Sequence, residues 1–308
     1  MKKLVLIDGN AIIHRAFHAL PPMNNKDGTL TNAVYGFFSM LFKIISDLKP
    51  EYIIVCFDKK APTFRKAMYV GYQAKRPKMS DELIPQIDIV HSALDAAKIQ
   101  HFEIDGYEAD DLIGTLSVKA KEKDLQTIIV SGDRDLLQLV NSKVLMLAPV
   151  VGITNMILFD ESKVKEKYGL NPEQIVDYKA LVGDPSDNYP GVTGIGPKTA
   201  SGLLQQFSTL EGVYQNLQEI APALQEKLAQ DAEQAAMAKK LATIVKDAPV
   251  DFEEEQVETN KIDVKALKTV FEDLGFNSLL KRLSQIEQKP ITQKDEKKKN
   301  EDNQMSLL

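Results

Sequence analysis

Short apolar runs that end at acids restrict this chain more than any other feature. LVLI (4–7) ends at Asp8, and YIIVCF (52–57) ends at Asp58. Residues 100–104 lead into Glu108, and 127–130 run into Ser131, Gly132 and Asp133. Such runs are continuous rather than alternating, so they read as strands buried on both faces, the habit of a parallel sheet. Helical periodicity fills the intervals. Residues 32–48 carry Val34, Phe37, Phe38, Leu41, Ile44, Ile45 and Leu48 on one face, residues 83–97 are amphipathic, and Glu108–Asp111 opens another helix. A further strand is expected at 144–147. The alternation predicts an α/β fold with a mostly parallel, doubly wound sheet. Ligands of such sheets bind beyond the carboxyl ends of the strands. The strand-end acids should therefore gather on one ridge.

From residue 160 onward the pattern is helical: 161–168, 172–182, 199–207, 209–218, 222–246 and 262–283. Between them lies GDPSDNYPGVTGIGPKTA (183–200), which has two distinct ends. Asp184 and Asp187 offer carboxylates. Gly194 and Gly196 permit a tight turn, and Lys198 sits beside the next helix start, whose free N–H groups suit a phosphate. GIGPKT also fits the front of a dinucleotide fingerprint, but that motif follows a strand and this one follows a helix. A purely structural turn stays open. The remaining reading is a helix-hairpin-helix that grips a nucleic-acid backbone without reading bases.

Residues 59–78 carry Lys59, Lys60, Arg65, Lys66, Lys75, Arg76 and Lys78 among Phe64, Tyr69 and Tyr72, with no acid between Asp58 and Asp81. A solvated basic loop is one reading. Interleaved cations and rings more specifically suit single-stranded nucleic acid. The formal charge of −6 argues against a generally basic nucleic-acid binder. Nine carboxylates, however, sit at strand ends or turns: Asp8, Asp58, Glu108, Asp110, Asp111, Asp133, Asp135, Asp184 and Asp187. Setting those nine aside turns −6 into +3. Clustered acids repel one another, and hard divalent cations such as Mg²⁺ relieve that. Two such ions can activate water and stabilise the leaving oxygen of a phosphodiester.

Other chemistries are poorly supported. The single cysteine, Cys56, lies in an apolar run, so there is no disulfide framework. His14, His18, His91 and His101 lack zinc spacing, and no Ser/His/Asp set stands out. The apolar start is too short for a signal peptide, and no 18-residue apolar run occurs. A cytoplasmic protein with no membrane contact is expected. After about residue 285 the chain turns highly charged and nearly devoid of apolar residues, which predicts a disordered tail over 286–308.

LIDGN, FDKKAPTFR, GYEADD, SGDRDLLQL and LVGDPSDNYPGVTGIGPKTA together resemble the 5′-nuclease domain of bacterial DNA polymerase I, in the flap endonuclease superfamily. The likeness covers residues 3 to 285. It implies a nuclease core over 1–175, with a helical arch at about 59–98. A helix-hairpin-helix and C-terminal helical region over 176–285 would hold duplex DNA. It further implies a 5′-3′ exonuclease and flap endonuclease acting on nicks, 5′ flaps and RNA primers, in Okazaki-fragment processing and DNA repair. All nine acids match the family's metal cluster for two or more Mg²⁺ ions, with Mn²⁺ able to substitute and K⁺ at the hairpin. Arg15 and Arg65 match basic residues at the 5′ phosphate. Gln73 stands where the family usually has a lysine after GY, leaving Lys75 and Arg76 as nearby substitutes. Gly191, Gly194, Gly196, Lys198 and Thr199 would contact DNA. Gln304, Met305, Ser306, Leu307 and Leu308 resemble the sliding-clamp-binding motif, usually QL[SD]LF. A monomeric, stand-alone nuclease is expected. The alternatives are a non-catalytic DNA-junction binder of the same fold, a ribonuclease with a related acid-lined sheet, or an N-terminal fragment of a DNA polymerase I.

Overall fold

The structure, a computed structural model, describes residues 1–152 and 155–287. The expected tail and its clamp motif, Gln304 to Leu308, lie outside the described residues. The chain starts in the middle of a sheet. β1 (Lys3–Asp8) leads into α1 (Gly9–Ala19) and α2 (Asn32–Leu48), then β2 (Tyr52–Cys56), α3 (Phe64–Met68), α4 (Ile84–Ala96) and β3 (His101–Phe102). α5 (Ala109–Glu122) then leads to β4 (Gln126–Val130), β5 (Val144–Val151) and β6 (Asn155–Phe159). The strand order is β3-β2-β1-β4-β5-β6. Every neighbouring pair is parallel except β5 with β6. β1 pairs with both β2 and β4, so the winding direction reverses at β1, which opens a crevice at the carboxyl ends of β1 and β4.

Alternation along β1 distributes the core. Val5 and Ile7 pack with Ile12 and Ile13 of α1, the phenylalanines of α2, and Val90 and Leu94 of α4. Leu4 and Leu6 pack with Leu112, Ile113 and Leu116 of α5. All four β1 residues are at most 1% exposed. At roughly 1.5–3 kcal/mol per buried large side chain, these two layers fix the strand ends.

A third core belongs to the helices that follow: α6 (Glu161–Tyr168), α7 (Ile175–Val182), the short β7 (Gly183–Asp184) and β8 (Tyr189–Pro190), α8 (Pro197–Phe207), α9 (Leu210–Gln215), α10 (Pro222–Gln230) and α11 (Ala232–Ala242). α12 (Val264–Asp273) and α13 (Asn277–Glu287) return to the sheet, where Phe271 joins the phenylalanines of α2.

Several expected elements change length. The strand expected at 100–104 shrinks to β3, because it sits at the sheet edge and the chain then turns at Gly106, whose φ is +86°. The strand at 144–147 extends to 151 and gains an unexpected antiparallel partner, β6. The helix expected over 222–246 breaks at Asp231, whose carboxylate accepts the Thr193 N–H at 2.7 Å. The one over 262–283 breaks at Gly275, with φ +74°. Within the span expected to arch, α3 is followed by a series of turns in which Tyr72 and Leu83 are buried. α4 carries buried Val90, Ala93 and Leu94 and covers the sheet.

Candidate active site

Asp8 ends β1 and caps α1. One carboxylate oxygen accepts the Ala11 N–H at 2.9 Å and the other the Ser131 hydroxyl at 2.6 Å. The Ser131 hydroxyl in turn accepts the Asp133 N–H at 2.9 Å, so adjacent strand ends are laced together. Asp58 accepts the Ala109 N–H at 2.7 Å and is held from the other side by Asn10, whose side chain accepts the Asp58 N–H at 2.9 Å. Asp110 lies one residue on. Burial pushes the Asp8 carboxyl up to about 7, and the charges of Asp58 and Asp133 push the same way. Asp110 lies well above the usual carboxylate range, first from burial and then from Asp133, Asp8, Asp58 and Asp135. These four acids form one electrostatic group.

Asp135, Asp184 and Asp187 form the second. One oxygen from each lies within 4.8 Å of the others. Asp133 Oδ1 accepts the Asp135 N–H at 2.9 Å, which joins the two groups. Lys179 reaches this trio from α7 and pairs with both Asp135 and Asp184, while Arg76 pairs with Asp187 at 2.7 Å. Burial raises Asp184, but Lys179 and Ser186 more than offset it and hold it below the usual range. Asp135 is pushed up to about 7 by burial and by Asp133, against the pull of Lys179. A cleft of about 280 Å³ runs between Asp133, Lys179, Asp184, Asp187, Arg76 and Arg134. Three carboxylates, Asp133, Asp184 and Asp187, and the Ser186 hydroxyl offer oxygen ligands there. That set fits hard divalent cations, whose binding would relieve the crowding.

Two expected roles need correction. Asp111, 0% exposed, accepts from both Arg65 Nη groups at 2.7 and 2.8 Å, the Glu108 N–H at 3.1 Å and the Val245 N–H at 2.9 Å. Its acceptor capacity is filled, so a carboxylate expected to hold metal instead fixes the start of α5. Arg65 is 2% exposed. Besides Asp111 it donates to the main-chain oxygens of Leu241 and Thr243, each at 2.9 Å, and meets Glu108 at 3.3 Å. Its fork is used up, so the expected contact with a 5′ phosphate does not fit it. Arg15 lies half-buried on α1, and its Nε donates to the Gly152 oxygen at 2.6 Å. Lys75 is exposed and takes part in no ion pair among the described residues. Gln73 has a φ of +55°, and its N–H donates to the main-chain oxygen of Asp187 at 2.8 Å. The departure from lysine therefore sits on a backbone tied to the second acid group.

The hairpin glycines divide. Gly194 (φ +75°) and Gly196 are exposed, and a Cβ at Gly196 would meet nothing within 4 Å. Lys198 is exposed at the start of α8, with Thr199 beside it half-buried. Gly191 is different: a Cβ there would lie 2.3 Å from the Gly183 nitrogen. Its smallness serves the crossing of β7 and β8, not the surface that Gly196 and Lys198 present.

Four participants escaped the sequence reading. Lys179 neutralises the second group. Tyr72 ties Glu108 to the second group, its hydroxyl donating to Glu108 and to Asp187, each at 3.1 Å. Ser131 laces Asp8 to Asp133, and Arg134 enters the cleft between two acids. Ser131 and Arg134 stood inside SGDRD, and Lys179 stood in the helix before Gly183, so the motifs themselves carried the signal.

Comparison with known proteins agrees with this geometry. Residues 3–169 match the 5′-3′ exonuclease N-terminal resolvase-like domain, and residues 170–265 match the 5′-3′ exonuclease C-terminal SAM fold. A 5′-3′ exonuclease of Aquifex aeolicus is 38% identical over 286 residues, covering 93% of this chain and 96% of that protein. DNA polymerase I of Bacillus subtilis is 44% identical over 285 residues, which span 92% of this chain but only 32% of the polymerase. Among solved structures, the T5 D15 protein co-crystallised with metal ions has a TM-score of 0.67 at 19% identity, covering 93% of this chain and 99% of its own. The catalytic core of Rad2 in complex with DNA substrate has a TM-score of 0.61 at 17% identity, covering 92% of each chain. Both show the shared fold. On these matches, over nearly the whole described chain, the protein belongs to the 5′-3′ exonuclease family.

Proposed function

We propose that this protein is a structure-specific 5′-3′ exonuclease and flap endonuclease, acting on nicks, 5′ flaps and RNA primers in Okazaki-fragment processing and DNA repair. The observation that carries the reading is the joining of two acid groups at the carboxyl ends of β1 and β4, next to a hairpin with an open glycine and an exposed lysine. Asp8, Asp58, Asp110 and Asp133 would hold one Mg²⁺, and Asp135, Asp184 and Asp187 a second, with Mn²⁺ as a substitute. When bound, such ions lower the pKa of water and offset charge on the phosphate. In hydrolysis, water adds to phosphorus and one P–O bond breaks.

The chain's own residues do the rest. Lys179 and Arg76 balance the trio before a cation arrives. Arg65 and Asp111 hold the start of α5, and so Glu108 and Asp110, in place. Arg15 remains the candidate for the 5′ phosphate, with Lys75 at the turn beyond α3. Gly194, Gly196, Lys198 and Thr199 would take the duplex backbone, with K⁺ at the hairpin. The Gln304–Leu308 segment would dock on a sliding clamp. A monomer in the cytoplasm fits this reading, and among the described residues no helix is long and apolar enough to cross a membrane.

The test is cleavage of a 5′-labelled flap with and without Mg²⁺, with product lengths mapped. Short 5′ products that require Mg²⁺ are expected. Tight binding without cleavage would favour the non-catalytic junction binder.

A further inference from the structure

Tyr189 stands in β8 directly across from Asp184 of β7. It is 3% exposed, and its ring packs with Ala238, Leu241 and Ala242. The ring also stacks on Tyr72, 6.4 Å between centres with the planes 19° apart. Packing of that kind asks for a ring and has no use for an oxygen. The hydroxyl is nevertheless present, and it is buried without a hydrogen-bond partner. An unpartnered buried hydroxyl costs free energy that a phenylalanine would not, so the core alone does not account for a tyrosine here.

The orphaned hydroxyl does not stand alone. Among the described residues, eight buried side-chain polar atoms lack a hydrogen-bond partner. Three of them, on Arg134, Asp135 and Tyr189, lie in or beside the second acid group. Asp135 Oδ1 meets Lys179 as an ion pair and takes no other partner. Burial first, then Asp135, and then Asp184 and Asp187 push the Tyr189 hydroxyl well above the ordinary phenol range, against the pull of Lys179. It stays protonated and so has a proton to donate toward these acids. Tyr189 does not line the cleft, which leaves it to act on the acids and on what they hold rather than on a substrate.

We infer that Tyr189 is a positioning residue of the second cation site, its hydroxyl serving as the outer partner of the hydrated divalent cation that Asp135, Asp184 and Asp187 would hold. Cations such as Mg²⁺ keep several of their waters, and groups beyond the direct ligands set the affinity of a site by hydrogen-bonding to what the cation carries. The inference rests on the two-cation reading above and adds to it a residue that is neither a carboxylate nor part of the hairpin surface.

The experiment counts Mn²⁺ bound to the DNA-free protein, by electron paramagnetic resonance of the free ion, and follows thermal unfolding without any divalent cation. Tyr189→Phe keeps the ring and drops the oxygen. It is expected to raise the Kd of the second-group ion about 10–100-fold, the usual cost of losing an outer partner, and to leave the first-group ion unchanged. Its melting temperature without cation should equal or exceed that of wild type, because a buried orphan has been removed. A merely structural hydroxyl would give the reverse, a lower melting temperature with Mn²⁺ affinity kept. Asp184→Asn identifies the second-group ion by removing it, and adding Tyr189→Phe to that variant should change nothing further. In flap cleavage, Tyr189→Phe should need more Mg²⁺ yet reach the wild-type rate once Mg²⁺ saturates. The inference is overturned if Tyr189→Phe binds Mn²⁺ like wild type, if it melts well below wild type, or if it weakens Mn²⁺ binding equally in the Asp184→Asn background. If wild type and Asp184→Asn bind the same number of ions, the second cation site itself fails, and the two-cation reading fails with it.

Discussion

Around the acids, most carboxylates have a partner inside the protein. Asp8 takes Ala11 and Ser131, Asp58 takes Ala109, Asp111 takes four donors, and Lys179 and Arg76 fill the second group. Around the hairpin the reverse holds. Gly196 and Gly202 face open space, and Lys198 is exposed. Charge already gathered and crowded calls for a small, highly charged ligand that fits between fixed oxygens. A bare surface calls for a large ligand that brings its own shape. The contrast teaches which changes should act on chemistry and which on affinity.

The largest effect is expected in the crowded region. Asp110 feels four other acids, so Asp110→Asn removes a source of repulsion together with the cation ligand proposed there. Cleavage should fall about a thousandfold, equivalent to roughly 4 kcal/mol, while the melting temperature rises. Single-turnover rates and thermal unfolding check the two halves. A variant that is both inactive and less stable would show that Asp110 is held by structure rather than poised for a cation.

Next comes Arg65→Ala, which strands the buried Asp111. Breaking a buried pair costs about 3–5 kcal/mol, to be read from denaturant unfolding. Any loss of cleavage should be the same on phosphorylated and unphosphorylated 5′ ends. A selective loss on the phosphorylated end would restore Arg65 to the role first expected of it. Arg65→Lys should rescue little, because an ammonium cannot reproduce the fork.

The hairpin glycines sharpen the comparison at smaller scale. Gly191→Ala forces a Cβ to within 2.3 Å of the Gly183 nitrogen, so it should destabilise the fold by about 1–3 kcal/mol. Gly196→Val should leave unfolding unchanged and weaken duplex binding severalfold, alike for all sequences. Equal destabilisation by both would mean that the hairpin is only a structural turn.

The pH dependence is a milder effect. Asp8, Glu108 and Asp135 lie near 7 in the folded protein, in each case chiefly from burial. Unfolded, they would titrate near 4. Between those values the folded state holds protons that the unfolded state has released, so stability falls as pH rises from about 4 to about 7. On the proposed reading Mg²⁺ takes the deprotonated acids, so its gain in melting temperature should be larger at pH 8 than at pH 5.5. Equal gains would place the cation elsewhere.

Much of the crowded region was legible in the sequence, because a buried strand ending in an acid announces both burial and position. Asp8, Asp58 and Asp133 were found that way. The partners were not. Arg65 stands in a basic run that reads as solvated or DNA-facing, and only the path of residues 241–245 past α5 reveals that it is buried. Lys179 lies in the helix expected over 172–182, and only the packing of α7 beside Asp135 and Asp184 shows what it pairs with. β6 was missed because its exposed residues follow no simple alternation. The hairpin was readable as a motif, yet spacing alone could not separate Gly191, which packs, from Gly196, which faces outward.

The central claim is that the acids perform the chemistry and the hairpin supplies affinity. It is tested most directly by single-turnover cleavage of a 5′-labelled flap, with enzyme titrated to saturation, for Asp133→Asn and Lys198→Ala side by side. The account predicts that Asp133→Asn stays inactive at every enzyme concentration while binding within about tenfold of wild type, as expected when a cation ligand is lost. Lys198→Ala should need more enzyme yet reach the wild-type rate at saturation, as loss of a backbone contact requires. Full activity of Asp133→Asn in Mg²⁺, or a rate deficit in Lys198→Ala that saturation does not remove, would contradict it.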